Sequence, residues 1–300
     1  MRFFSGFITA LLIAAAVHGA GASGLPVRND HPRLLFTPDI LAQLRAKMTA
    51  SHPHWMQLKA QADVLSTYTI YPYKFLLRGE APEGTIYYSY QAEGWYDAAF
   101  PLGFAYVASG DMAYCNKLLA LADEMIRAQT DPENLPPDGM SPLGPGNYYP
   151  TRNIGPVIAM IYDWCYDKLG ATRKAAMIAL METYFEDMRM NAYQRNDHAD
   201  GNYYVGHMIA AAWMGYALHG DSPRAQTMID YARMRFDNSP SALIDPDSTP
   251  EDYFAQLFEG AGECQRGEDE LMDERRDVGR LPGQVQLLAQ YDLIDANQCP

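Results

Sequence analysis

The stretch AAFPLGFAYVA, residues 98–108, decides the fold class because it is long, apolar and free of charge. Two later stretches have the same character, VIAMI at residues 157–161 and MIAAAWMGYA at residues 208–217. A helix that is apolar nearly all round is normally buried among other helices. The three stretches therefore predict the buried helices of a mainly helical protein.

Each apolar stretch opens a predicted hairpin of two helices. The hairpins span residues 96–127, 155–188 and 201–236, with turns at Gly110-Asp111, at Gly170 and at Gly220-Asp221. The spacing of these turns is too irregular for a solenoid of fixed repeat, but it suits helical hairpins arranged round a ring. We therefore predict an all-α fold, an incomplete (α/α) toroid with the apolar helices as its inner ring.

Long irregular loops are expected between these helices. Residues 68–96 are crowded with Tyr, Gly and Pro, and residues 131–149 and 237–251 are linkers rich in Pro, Gly or Asn. Loops of this length in a compact domain are usually functional or disordered. We expect the two linkers to wall a cleft, and residues 285–294 to form one more inner helix whose partner is missing.

The start of the chain has the pattern of a secretory signal peptide. Arg2 is followed by an apolar run and by the small residues at 20–22, which predicts cleavage after Ala22. The run is too short for a comfortable membrane span, and no later window supplies one. The expected mature domain, residues 23–300, is periplasmic or secreted. It begins with a helix signal, Thr37 as N-cap and Pro38 at the first helical position.

Charge and cysteine content exclude several classes of function. The formal net charge is −14 and becomes −15 when Arg2 is removed, which argues against a nucleic-acid partner. An acidic substrate would need a local cluster of Arg, His and neutral donors in its cleft. Four widely spaced cysteines allow one or two disulfides in an exported protein without selecting a pairing. They lack the spacing of a zinc site, and no metal or other cofactor is expected.

Four segments resemble the alginate lyase and heparinase II/III-like polysaccharide lyases, whose members share an (α/α) toroid. They are HPRLLFTP at residues 31–38, residues 105–122 around Ser109-Gly110-Asp111, IYDWCYD at residues 161–167, and DGNYYVGHM at residues 200–208. The resemblance implies an enzyme that cleaves a uronate-containing acidic polysaccharide by β-elimination. Alginate is the first substrate to consider.

Such a reaction removes the weakly acidic C5 proton of a uronate, so the neighbouring carboxylate must be neutralised before an enolate-like transition state can form. A base and an acid then move protons, roles open to Tyr and His. The catalytic set expected here lies within residues 195–207. Asn202 or Asn196 would neutralise the carboxylate, and the proton carriers are Tyr203, Tyr204, His198 and His207.

Two registers stay open for the neutralising amide, Asn196 with His198 or Asn202 at a helix start. In the second register Tyr203 and His207 lie four residues apart and share a helix face. Substrate binding is assigned to Arg276, which can pair bidentately with a carboxylate, and to four further residues. These are Arg195, Asn196, Tyr148 and Arg152.

Structural explanations compete with each of these assignments. An Asn at a helix start is often only a cap, His207 on an apolar helix can be a core histidine, and Tyr162-Asp163-Trp164 is expected to be structural, with Asp163 bonding locally. Two other functions stay open. A glycoside hydrolase on the same fold would use a carboxylate pair drawn from Asp97, Asp163, Asp200 and Glu259, and a non-catalytic relative would bind a glycan without turnover.

Overall fold

The computed structural model describes residues 27–49, 51–73, 82–89, 92–134, 143, 148–191 and 202–238. Helix accounts for 76% of these residues, which confirms the prediction of a mainly helical, all-α fold class. The described α-helices are α1 (Pro38–Lys47), α2 (Pro53–Thr67), α3 (Glu93–Ser109), α4 (Met112–Thr130), α5 (Tyr148–Trp164), α6 (Gly170–Asn191), α7 (Asn202–Leu218) and α8 (Ala225–Asp237). Short 3-10 turns cover Pro132–Asn134 and Tyr166–Lys168.

The three predicted hairpins are confirmed as α3–α4, α5–α6 and α7–α8. Their turns use Gly110, Gly170 and Gly220, each with a φ between 69° and 81°. Glycine adopts this left-handed region without steric cost, so it ends one helix and redirects the chain into the next. After Gly110, the side chain of Asp111 accepts a hydrogen bond from the backbone N–H of Ala113 and caps α4.

The apolar first helices pack on one another, and each second helix covers its own partner. Helix α5 lies against both α3 and α7, whereas α4 packs on α3, α6 on α5 and α8 on α7. Close contact between α5 and α7 depends on Gly155, where an added Cβ would lie 2.6 Å from the Cβ of Ala210. The next close approach is Arg152 to Gly206, in the same order along both helices. Helices α5 and α7 are therefore parallel, with their N-terminal ends side by side.

Some local expectations were wrong. Residues 68–96 were expected to be irregular, but Thr69–Ile70 and Thr85–Ile86 pair as two short parallel strands, β1 and β2. Helix α3 also begins inside that region, at Glu93. Tyr148 was placed in a linker, and it is the first residue of α5 instead. The expected helix at residues 285–294 lies outside the described residues.

The segment before α1 is anchored to the end of α5, 130 positions later in the sequence. Asp163, 1% exposed, accepts hydrogen bonds from the backbone N–H groups of Arg33 and Leu34 at 2.9 and 2.8 Å. The Nδ1 of His31 lies 2.6 Å from the same carboxylate. Asp163 was expected to bond locally. It bonds to residues 130 positions away instead, because the end of α5 meets the extended N-terminal segment.

A second set of contacts completes this N-terminal anchor, which we define as His31, Arg33, Asp163, Tyr166 and Asp221. The His31 ring stacks on Tyr166 with centroids 3.6 Å apart, and the Tyr166 hydroxyl donates to Asp221 at 2.7 Å. The Arg33 guanidinium donates to the backbone carbonyl of His219. The N-terminal segment therefore joins the end of α5 to the turn between α7 and α8. This network explains why the HPRLLF and YDW stretches belong together.

Candidate functional site

The paired N-terminal ends of α5 and α7 bring several expected site residues together. An ideal Cβ at Gly206 would lie 3.6 Å from the Cβ of Arg152, so the first turns of the two helices are in direct contact. Tyr148 begins α5 and Asn202 begins α7. Arg152 and Gly206, 54 positions apart in sequence, thus meet near this end of the bundle. The first-turn N–H groups of both helices carry partial positive charge there, which favours a nearby anion.

His207 lies one residue beyond this contact and is completely buried. Neither ring nitrogen has a hydrogen-bond partner within the described part of the chain. Burial, with a contribution from the nearby Arg235 cation, lowers the pKa of His207 to about 3. Its imidazole is therefore neutral at ordinary pH and is a weak base. An unpaired buried ring of this kind is uncommon, because burying a polar group without a hydrogen bond is costly.

Arg235, on α8, is a site residue that the sequence reasoning missed. It is 4% exposed, and its guanidinium carbon lies 4.2 Å from the ring centre of Tyr204 and 4.8 Å from that of Tyr231. One of its terminal nitrogens is 3.4 Å from the carbonyl of Tyr204. The sequence could have indicated that Arg235 is buried, because Met228, Ala232 and Arg235 follow each other at helical intervals and share the buried face of α8.

The two tyrosines at the start of α7 have different environments. Tyr204 is 8% exposed and its ring lies against Arg235, and burial raises the pKa of its hydroxyl. Tyr203 is only partly buried. We therefore separate the pair, with Tyr204 packed between α7 and α8 and Tyr203 partly exposed at the surface. The remaining expected site residues, Arg195, Asn196, His198 and Arg276, lie outside the described residues.

The acidic residues considered for hydrolysis are not gathered into a pair among the described residues. Asp163 is held in the N-terminal anchor at the end of α5, and Asp97 is exposed in the first turns of α3. Asp200 and Glu259 lie outside the described residues. Asp163 is thus buried and engaged by two backbone N–H donors and by His31.

Comparison with known proteins adds no assignment. No protein-family model matches the chain, and no curated protein is significantly similar to it in sequence. Within the described ranges, no group of three or more His, Cys, Asp or Glu side chains is arranged to hold a metal ion. No helix in those same ranges has the length and apolar character needed to cross a membrane.

Proposed function

We propose that the chain is a polysaccharide lyase that cleaves a uronate-containing polysaccharide by β-elimination, on an (α/α) toroid whose inner helices include α3, α5 and α7. The packing supports this arrangement, since α5 lies between α3 and α7 and each second helix covers its partner. The observation that carries the proposed function is the contact between Arg152 and Gly206 beside the unpartnered imidazole of His207.

The proposed site places a cation, a phenol and a neutral imidazole around one pair of helix ends. Arg152 is partly buried and carries a guanidinium that can pair with the uronate carboxylate. Neutralising that carboxylate, with help from Asn202, makes the C5 proton easier to remove. Because these groups come from two parallel helices packed through small residues, the spacing between them is rigid.

Proton transfer is assigned to Tyr203 in this proposal. The low pKa of His207 keeps its buried imidazole neutral and makes it a weak base, so it is not assigned a proton-transfer role. Tyr203 stands four residues before it, on the same face of α7, and is the group that a substrate reaches first. We therefore assign the proton transfer to Tyr203. The substrate is an acidic chain, with alginate as the first to test.

The decisive experiment follows the ultraviolet absorbance of the unsaturated uronate product during incubation with a panel of acidic polysaccharides. Absorbance should rise with at least one polymer and should fall at least about 100-fold in rate for Tyr203→Phe, the range expected for loss of a proton-transfer group. Tyr216→Phe makes the same chemical change at the other end of α7 and serves as the matched control. A flat trace with folded protein on every polymer would falsify the lyase assignment.

Reducing ends distinguish the alternatives when that trace is flat. Their accumulation without a double bond would identify a glycoside hydrolase. Binding without any cleavage would identify a non-catalytic glycan-binding protein. Alginate, heparin-like chains and hyaluronan belong in the panel because they differ in the sugar beside the uronate.

A further inference from the structure

Two cysteines lie together at the other end of the inner helices. Cys115, on α4, and Cys165, directly after α5, are both free thiols with no exposed surface. The surroundings of Gly103 on α3 show that the neighbours of both cysteines come together. An ideal Cβ at Gly103 would lie 2.2 Å from the Trp164 ring and 3.5 Å from a methyl carbon of Leu118. Leu118 is one turn from Cys115, and Trp164 precedes Cys165. The helix face that carries Cys115 therefore meets the end of α5.

The two thiols interact directly. Each thiol perturbs the pKa of the other, and the Tyr106 hydroxyl and Cys115 perturb one another as well, so the three groups are neighbours. The Cys165 side chain lowers the pKa of Cys115, whereas burial raises the pKa of Cys165. The pair thus consists of one thiol that ionises more readily and one that is strongly shielded.

We propose that Cys115 and Cys165 are joined by a disulfide when the chain folds in an oxidising environment. A small-molecule disulfide such as oxidised glutathione is the oxidant. The Cys115 thiolate attacks one of its sulfurs, the oxidant's S–S bond breaks, and one small thiol leaves. The Cys165 thiolate then attacks the Cys115 sulfur of the mixed disulfide and releases the second small thiol. The protein loses two protons and two electrons, and the oxidant is reduced to two thiols.

Thiolate is the reacting form of either cysteine. Both sulfurs have no exposed surface in the folded protein, so the bond forms before packing is complete. The bond would close a loop that contains the whole connection between α4 and α5 and would tie the first hairpin to the second. The inference is independent of the proposed lyase activity.

Peptide mapping of one variant tests the pairing. Cys264→Ser/Cys299→Ser leaves only the two thiols of interest, and it is refolded with a mixture of reduced and oxidised glutathione. Free thiols are then alkylated, and the protein is digested without reduction. The expected product is one cross-linked peptide pair carrying residues 115 and 165, lighter by two hydrogen atoms than the two reduced peptides. Recovery of both cysteines alkylated from folded protein overturns the proposal, and so does a bond between two chains.

Thermal unfolding provides a second measurement on the same protein. Reduction should lower the Tm of the cross-linked protein by roughly 10 °C, because the opened loop gains chain entropy in the unfolded state. Cys115→Ser in the same background cannot form the bond, and its Tm should not respond to reductant. If the variant does not refold, the full chain with all four cysteines is alkylated at isolation and mapped in the same way. Pairing of Cys115 or Cys165 with Cys264 or Cys299 would overturn the proposal.

Discussion

Because the imidazole of His207 is buried and neutral, the stability of the protein should depend on pH. In the unfolded chain a histidine titrates near its usual pKa of about 6.5, whereas burial and Arg235 hold the folded-state pKa of His207 at about 3. Between these two values the unfolded chain binds the additional proton. The contribution of His207 is therefore fully present above pH about 6.5 and is lost as the pH falls toward 3.

The corresponding prediction concerns the slope of stability with pH. The free energy of unfolding should fall by up to about 1.4 kcal/mol per pH unit through this group as the pH is lowered below 6.5. Urea unfolding at pH 7, 6 and 5 measures this change in the free energy of unfolding, whose size depends on the difference between the two pKa values. In His207→Gln this part of the slope should disappear, because glutamine does not titrate. His54→Gln, on the partly exposed surface of α2, is the control and should keep the slope. Identical slopes in the wild type and His207→Gln would show that His207 titrates normally in the folded protein.

At the scale of elements, glycines in the apolar helices set how closely those helices approach. Gly103 on α3 faces the Trp164 ring at a distance that leaves no room for a methyl group. Gly206 on α7 faces only the Arg152 Cβ, at 3.6 Å, which is an ordinary contact. An alanine side chain would therefore clash with a ring at position 103 but would fit at position 206.

We predict opposite effects of alanine at these two positions. Gly103→Ala should lower the free energy of unfolding by about 1–3 kcal/mol, because the buried Trp164 ring must shift. Gly206→Ala should be neutral or stabilising by up to about 1 kcal/mol, because alanine is the better helix former and nothing obstructs it. Urea unfolding of both variants measures the difference. A loss of stability in Gly206→Ala as large as that in Gly103→Ala would contradict the packing described for α5 and α7.

Element-scale features were the ones that sequence predicted best, because their causes are local. The Thr37 side chain accepts from the N–H of Ile40 and caps α1, as expected from Thr37-Pro38. The glycines at the hairpin turns were also identified, since a left-handed φ selects this residue type. Helix α2 was not predicted, although His52 caps it and Pro53 opens it. Only Trp55, Leu58 and Ala62 are buried in this helix, and about half of its positions are exposed.

The site was predictable only in part, because its contacts join distant segments. Tyr203 and His207 share a face of α7 for the local reason of helical period. The approach of Arg152 to Gly206 and the burial of Arg235 depend on how α5, α7 and α8 pack, which no local pattern specifies. The partners of Asp163 were missed for the same reason. All of the expected site residues remain predictions, and four of them, Arg195, Asn196, His198 and Arg276, also lie outside the described residues.

At the scale of the whole molecule, the N-terminal anchor connects the first described residues to both later hairpins. Asp163 is the centre of these contacts, with two backbone N–H donors and His31 around one buried carboxylate. Removing the charge leaves donors without a full acceptor set in a buried position, which costs more than the contact alone contributes.

Asp163→Asn should therefore lower the free energy of unfolding by about 3 kcal/mol. It should also release the N-terminal segment, so that trypsin cleaves after Arg28 and Arg33 faster than in the wild type. Asp167→Asn makes the same change at an exposed position four residues later and should alter neither property. Equal tryptic cleavage of the wild type and Asp163→Asn would show that other contacts hold the segment.

The anchor also imposes an order on biosynthesis. Residues 31–34 leave the ribosome long before Asp163 and Asp221 are made, so the first part of the chain waits for partners that arrive more than a hundred residues later. Until then the hairpin of α3 and α4 can form from its own local contacts, and Phe36 can pack on Phe104 of α3, whereas residues 31–34 lack the carboxylates that anchor them. A nascent chain that stalls before residue 163 would expose this segment to proteases, and one that stalls before residue 221 would hold it by only part of its contacts.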